Sequence, residues 1–545
     1  MHTEDSLLDS CTNYKLYVDK AVELGQKAIC FTEHGNIYNN IEKKMYANSK
    51  GLKYLHGVEV YLTAALEPKQ RDNYHTILIA KNFEGVKEIN TLVDLSTQSD
   101  HMYYKPRITF DEFFNISDNV IKISACLTSP LSKYPNFIGK QVDEKIAELE
   151  KNKETEANRL YTELNSEAAR NQWIEDDTII HNTSYEIYVE QCIEKSNNAF
   201  DLQIEEAKSE LENAKIVYDK LMKTYDYYEI QPHVKSMDQI RYNKMLYEAS
   251  KKYNKPLIAG TDTHSIDSYK AECRSILQKA KHIEFSNEDE FDLTYKSYDE
   301  LVDMFRQQGS LPMNVVLEAI KNTNRMADSV TDYELDTAFK YPILYDNEEE
   351  VFVERIYRMY HEKLDKGIIQ PDPRYEENIK EELRVFKKIG MVGFMLFMSE
   401  LVCWCWDNGI PIGFCRGSVG GSTIAYLTDI IDVNPVVWNT VFSRFANEDR
   451  KEIGDIDLDI APSQRHLVYE HIIEKFGADK TAYVLAIGTI SDKGTIDEIG
   501  RALNMPLGDV KQVKAQYSLF TDGITDCNDK IKKIESIDGY ENNEK

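Results

Sequence analysis

Lys15-Leu-Tyr-Val-Asp-Lys-Ala-Val-Glu-Leu24, followed after three residues by Ala28-Ile-Cys-Phe-Thr32, is the stretch on which the fold turns. The first segment carries the 3.6-residue period of a helix, and the second is a short apolar run of strand formers. The alternation continues outward. Candidate strands are Tyr54–Thr63, His75–Ala80, Val120–Ala125, Tyr225–Gln231 and Pro256–Gly260, with helices between them such as Phe83–Leu95. Strands alternating with helices predict an α/β domain over residues 1–270, built on a mainly parallel sheet or barrel.

One segment departs from this pattern. Residues 139–224 are densely charged, without proline and without glycine after Gly139. Ile204, Ala207, Leu211, Ala214, Tyr218 and Leu221 recur at spacings of three and four, which predicts a helical hairpin or short coiled coil inserted between two strands. Such an insertion is either a partner-binding arm or a solvated element packing on itself.

Composition bounds the function. The 545 residues suggest about three to four domains. Lys and Arg number 65 against 93 Asp and Glu, a net charge of −28, which excludes a protein that holds nucleic acid by bulk positive charge. Locally clustered basic residues and carboxylate metal sites remain compatible with it. The nine cysteines form no disulfide framework, and Cys403 and Cys405 are too close for a metal knuckle. A reducing, cytoplasmic setting is expected. The polar N-terminus shows no secretory signal, and the apolar stretch Met391–Trp406 is short and interrupted by Glu400.

Three constellations carry chemistry. His2, Asp9, His34, Glu59, His75, Cys126, Asp262 and His264 stand at the ends of predicted strands. Ligands on loops after barrel strands converge at one mouth. Imidazole, carboxylate and thiolate together suit Zn, Mn or Fe. The second is Cys415-Arg-Gly-Ser-Val-Gly-Gly-Ser422, leading from a predicted strand Ile410–Phe414 into a predicted helix Thr423–Ile431. A Gly-rich turn opening a helix exposes N–H groups to an anion such as phosphate, and Arg416 adds charge; a tight turn that merely needs small residues is the alternative. The third is Asp455-Ile-Asp-Leu-Asp459, a strand pattern with carboxylates on one face. Such carboxylates hold the divalent ions of in-line phosphoryl transfer, or form a charged exposed edge.

Taken in order, Cys415–Ser422, Phe442-Ser-Arg-Phe445, Gly454–Asp459 and Ile487-Gly-Thr489 resemble successive motifs of the C-family DNA polymerases, the bacterial replicative polymerase III alpha type. Thr32-Glu-His-Gly35, Gly57-Val-Glu59 and Gly260-Thr-Asp-Thr-His264 resemble that family's PHP (polymerase and histidinol phosphatase) domain. The resemblance implies a PHP-type distorted (β/α) barrel followed by a polymerase-beta-like nucleotidyltransferase palm with helical additions. By position it implies a PHP metal-binding domain at 1–270 holding the charged insertion, a palm at 271–490 and the start of a thumb at 491–545. Asp457 and Asp459 would be catalytic, with Asp455 beside them, on Mg²⁺. Arg416, Gly417, Ser418, Arg444, Arg450 and Lys493 would face nucleotide or DNA. The implied reaction is template-directed addition of deoxynucleotides to a primer 3′ end, with primer–template DNA and deoxynucleoside triphosphates as partners. The family's third aspartate, fingers and clamp-binding regions have no match here, and the first His of its HxH motif is missing, so the sequence reads as a fragment or split form that a second polypeptide would complete. The alternatives are a PHP-type metal-dependent phosphoesterase or 3′–5′ exonuclease, and a non-catalytic relative.

Overall fold

The computed structural model describes residues 1–175, 184–283, 290–337, 343–448, 454–484, 486, 488–525 and 527–536. Arg450 and Ile487 lie outside the described residues. The chain divides into two compact units, Met1–Glu334 with Ile490–Lys545, and Leu335–Thr489.

Among the described residues the first unit has eight strands: β1 (Ala28–Phe31), β2 (Lys53–Thr63), β3 (Tyr74–Ala80), β4 (Met102–Tyr103), β5 (Lys105–Thr109), β6 (Val120–Ile123), β7 (Tyr228–Ile230) and β8 (Leu257–Ala259). β1 and β5 run parallel to β2, whereas β3 is antiparallel to both β2 and β6. The sheet is therefore mixed rather than mainly parallel. The ten residues between β2 and β3 are too few for a crossover, so β3 returns antiparallel. An Ile123–Tyr227 bridge joins β6 to β7, which pairs in parallel with β8. The N-terminus then closes the ring. Thr32 after β1 donates its N–H to Met1 O (2.9 Å), and His2 donates its N–H to Thr263 O after β8 (2.8 Å). The result is a distorted barrel.

Buried side chains fix each piece. The helix Tyr14–Glu23, capped by Asn13, lays Tyr17, Val18 and Ala21 against Phe31 and Tyr54. The helices Tyr298–Gln308 and Met313–Ser329 contribute Phe305, Val316 and Ile320 to the main core of this unit. The charged insertion is a helical hairpin of Pro130–Leu164 and Tyr185–Thr224, with the short helix Glu167–Glu175 between. Its base joins the core through Tyr134, Ala214 and Leu221. Farther out the two long helices hold each other by Lys145–Glu210 (2.8 Å) and Lys153–Asp201 (2.5 Å) across buried Ile204 and Ala207. The helix Asp492–Ala502 joins this unit through a Glu498–Lys281 ion pair at 3.0 Å.

The second unit is helical. Asp372 caps the helix Pro373–Lys388, whose Ile379, Leu383 and Phe386 pack on Phe352, Met395 and Ile424. The apolar stretch forms the helix Val392–Asp407, stopped by Asn408-Gly409 and buried in this core. No helix among the described residues is long and apolar enough to cross a membrane. Two expected strands do not form: Ile410–Phe414 and Asp455–Asp459 make no ladder among the described residues, joined by the Gly413 N–H donating to Asp459 O (3.0 Å) beside an Ile412–Ile460 bridge. Pro411 has no N–H to give a ladder. The helix expected over 423–431 ends at Leu427, where Asp429 turns into the left-handed region at φ +62°.

Candidate functional site

In the first unit the eight predicted ligands come together at one end of the barrel. His34 follows β1, Glu59 and His75 lie on β2 and β3, Cys126 follows β6, and Asp262 and His264 follow β8. His2 Nε2 lies 3.2 Å from Glu59 Oε2 and 3.5 Å from Asp262 Oδ1. His34 Nε2 is 3.0 Å, and His264 Nε2 3.5 Å, from Asp9 Oδ2. His75 Nδ1 contacts Glu59 Oε1 and sits 3.7 Å from Cys126 Sγ. The imidazole of His2 stacks between those of His34 and His264, with centroids 4.1 and 4.3 Å away.

So many titratable groups perturb one another. Burial opposes a proton on His2, but its bonds to Asp262 and Glu59 raise its pKa to about 9. Burial, with His2 close by, lowers His34 to about 4. Burial likewise opposes charge on His75, yet Glu59 and Cys126 hold it well above the usual imidazole range. Against burial, His264 and His34 keep Asp9 far below the usual carboxylate range. Burial, reinforced by Asp262, pushes the Cys126 thiol up.

The cluster fits divalent metal on its own geometry. His2, His34 and His264, then His34, Glu59 and His75, then His2, Glu59 and Asp262 each bring three ligand atoms within 4.8 Å of one another. His34 Nδ1 is buried without a hydrogen-bond partner, a polar atom oriented for a ligand. Partners that sequence reading missed stand behind these groups. Ser6 Oγ bonds His2 Nδ1 (3.0 Å) and donates to Glu33 (2.6 Å), and Glu33 pairs with buried Lys43 at 2.7 Å. A lysine inside the buried face of the helix Asn40–Ser49 was the available signal.

In the second unit the Gly-rich turn faces the aspartates. Arg416 Nη1 lies 3.3 Å from Asp457 Oδ2, and Arg416 Nε 3.0 Å from Asp459 Oδ1. Gly417 has a φ of +85°, and a Cβ there would sit 3.5 Å from Asp457 Oδ2. Ser418 opens a 3₁₀ turn, Ser418–Gly421. Ile456 and Leu458 pack inward, leaving Asp455 and Asp459 exposed and Asp457 half-buried. The two-faced alternation survives without a ladder. Arg444 closes the adjoining 3₁₀ turn, Phe442–Arg444, beside Thr440, whose hydroxyl bonds Gly420 O at 2.9 Å. Lys493 stands instead on Asp492–Ala502, in the first unit.

The helix after the turn is not open to an anion. Buried Glu382 accepts from Ser422 Oγ (2.7 Å), Thr423 N (2.7 Å) and Ile424 N (3.0 Å). It fills the N-terminal donors that the sequence had suggested for phosphate.

Fold and clusters define a class: a barrel with a His and carboxylate cluster able to hold metal, and a second unit that sets a Gly-rich turn against paired aspartates. Residues 1–167 match the PHP domain, and residues 350–545 match the bacterial DNA polymerase III alpha NTPase domain. The chain carries both domains. It is similar along nearly its whole length to DNA polymerase III alpha subunits. That of Aquifex aeolicus (strain VF5) is 26% identical over 528 residues, covering 93% of this chain and 39% of the relative. That of Borreliella burgdorferi is 26% identical over 94% of this chain and 39% of the relative. For Campylobacter jejuni the figures are 26%, 98% and 42%. The chain thus spans about two fifths of the length of these curated relatives.

Proposed function

We propose that this chain is the PHP-and-palm portion of a replicative DNA polymerase of the polymerase III alpha type, adding deoxynucleotides to a primer 3′ end on a DNA template. The observation that carries the reading is Arg416 spanning Asp457 and Asp459 beside Gly417. A phosphate-binding turn and metal-binding carboxylates must meet at one substrate, and the approach of Arg416 and Gly417 to the aspartates supports that reading. Asp457 and Asp459, with Asp455 alongside, would hold Mg²⁺, which when bound neutralises charge developing on the phosphoryl oxygens. Arg416 exchanges its carboxylates for the triphosphate, giving charge-assisted hydrogen bonds. Gly417 and Ser418 bring backbone N–H groups against the same oxygens. Arg444, in the same unit, would add positive charge toward the nucleotide. A second polypeptide bearing fingers and clamp-binding regions, and a cytoplasmic setting, complete this reading. The test is equilibrium binding of a deoxynucleoside triphosphate with Mg²⁺ to the full chain. Asp457→Asn and Asp459→Asn should each weaken it at least about tenfold, as loss of a charge-assisted contact implies. Equal affinity in all three proteins would sink the reading.

The convergence of eight ligands favours a second activity in the same chain, a metal-dependent phosphoesterase or 3′–5′ exonuclease at the barrel mouth. His2, Asp9, His34, Glu59, His75, Cys126, Asp262 and His264 would hold Zn, Mn or Fe there. Hydrolysis of bis-p-nitrophenyl phosphate with added Mn²⁺, lost in His264→Ala but not in Asp459→Asn, is the expected result. Hydrolysis that survives His264→Ala removes the barrel as its source.

A further inference from the structure

Asp9 is held from two sides. One carboxylate oxygen, Oδ2, belongs to the cluster, 3.0 Å from His34 Nε2 and 3.5 Å from His264 Nε2. The other, Oδ1, is taken by the helix Ser268–Ala280: Arg274 donates to it through Nη2, and Gln278 Nε2 lies 3.3 Å away. Arg274 also donates through Nε to the backbone carbonyl of Asp9. The guanidinium therefore grips the residue at two points, which sets both the place of its Cα and the torsion of its carboxylate. Arg274 and Gln278 are themselves buried, at 7% and 6% exposure, so neither contact is a loose surface pair.

The loop needs such a grip. Residues 3–13 form no helix or strand, and Leu8, next to Asp9, sits at φ +65°, a region unfavourable for a residue with a Cβ. The gripping helix begins four residues after His264, with Asp267 as its cap. Ser10 Oγ donates to His264 O at 2.7 Å, and Ile266 N donates to Thr12 Oγ1 at 3.2 Å. One element thus ties together two ligands that lie 255 positions apart in the chain.

We propose that Arg274, seconded by Gln278, is a positioning residue that presents Asp9 to the barrel cluster through a single oxygen. A carboxylate fixed on its outer oxygen cannot rotate to offer both, so the site keeps a defined coordination number. Lysine cannot replace the fork, because one ammonium cannot span the carbonyl and the carboxylate in the same plane. The inference rests on the metal-centre reading of the barrel.

The test is calorimetric titration of the metal-stripped full chain with Zn²⁺, together with the visible spectrum of its Co²⁺ form. Arg274→Met should weaken binding about 10- to 100-fold, the usual cost of losing a partner behind a ligand, and should shift the Co²⁺ bands. Arg274→Lys should recover neither, and Gln278→Leu should lose affinity several-fold. Asn322→Leu is the structural control. Its amide bonds Leu257 O at the opposite end of β8, so it should lower the melting temperature and leave affinity and spectrum alone. Wild-type affinity and spectrum in Arg274→Met overturn the proposal. If Arg274→Met does not fold, unchanged affinity in Gln278→Leu overturns it instead. A wild-type chain that binds no Zn²⁺ would bring down the metal-centre reading, and this inference with it.

Discussion

Glu382 shows how much one buried carboxylate can decide. It answers three donors at the start of the helix Thr423–Leu427, and removing it leaves them buried without partners. Glu382→Leu should cost about 1–3 kcal/mol for each donor left unpaired, and should loosen the Gly-rich turn just before that helix. Thermal unfolding of the full chain measures the first effect; weaker nucleotide binding reports the second. The signal in the sequence was a lone charge within the stripe Ile379, Leu383, Phe386, where an apolar residue belongs. On the metal-centre reading of the barrel, protonation opposes metal uptake. His2, with a pKa raised to about 9, and His75, raised also, carry protons at neutral pH that a metal must displace. Zn²⁺ affinity should therefore climb from pH 6 to about 9, with protons released on binding. The sign for the metal-free protein is opposite: stability from His2 is full below its unfolded value near 6.5 and is lost as pH rises through about 9. Calorimetry in buffers of different ionisation enthalpy reads the released protons, and an affinity flat over that range would contradict the assignment.

Among elements, the hairpin separates into an anchored base and a solvated arm. Removing residues 146–209 and joining the ends with a short Gly-rich loop is geometrically mild, since Lys145 and Glu210 already touch at 2.8 Å. Tyr134, Ala214 and Leu221 stay in the core. The shortened protein should melt within a few degrees of the parent, corresponding to a change of about 1 kcal/mol or less. A collapse in stability would make the arm part of the fold. Elements of this kind were readable in advance where a pattern carried its own partner. The six barrel strands expected from apolar runs all form, because their neighbours are equally apolar runs. β4 and β5 escaped notice because Met102–Thr109 alternates poorly and contains Lys105 and Pro106. The Asp455–Asp459 alternation did report a two-faced extended segment. What it could not report was that the facing stretch, with no N–H at Pro411, joins it among the described residues only around the Ile412–Ile460 bridge. The convergence of His34, Cys126, Asp262 and His264 was readable because strand ends of a barrel share one mouth, whereas Glu59 lies within β2 and His2 and Asp9 precede β1. Arg274 was not, since nothing local distinguishes it from any other helical arginine.

At the scale of the whole molecule, charge and extent set the expectation. A net charge of −28 gives no general affinity for DNA, and the chain spans about two fifths of its curated relatives. The purified chain alone should extend a primer orders of magnitude more slowly than a replicative enzyme. A group of residues that acts as a unit loses most of its rate with the first missing member. A primer-extension assay with Mg²⁺ or Mn²⁺ and all four deoxynucleotides decides this: rapid extension abolished by Asp459→Asn would show that the 545 residues hold a complete active site.

The closure of the barrel by its first two residues has a consequence for synthesis. His2 finds Thr263, and Asp9 finds His264, only after the ribosome has delivered residues more than 250 positions downstream. At about 5–20 residues per second, the leading ligands wait roughly tens of seconds on a nascent chain whose ring is still open. During that interval imidazoles and carboxylates are free to capture any metal the cell offers, in geometries the finished barrel would refuse.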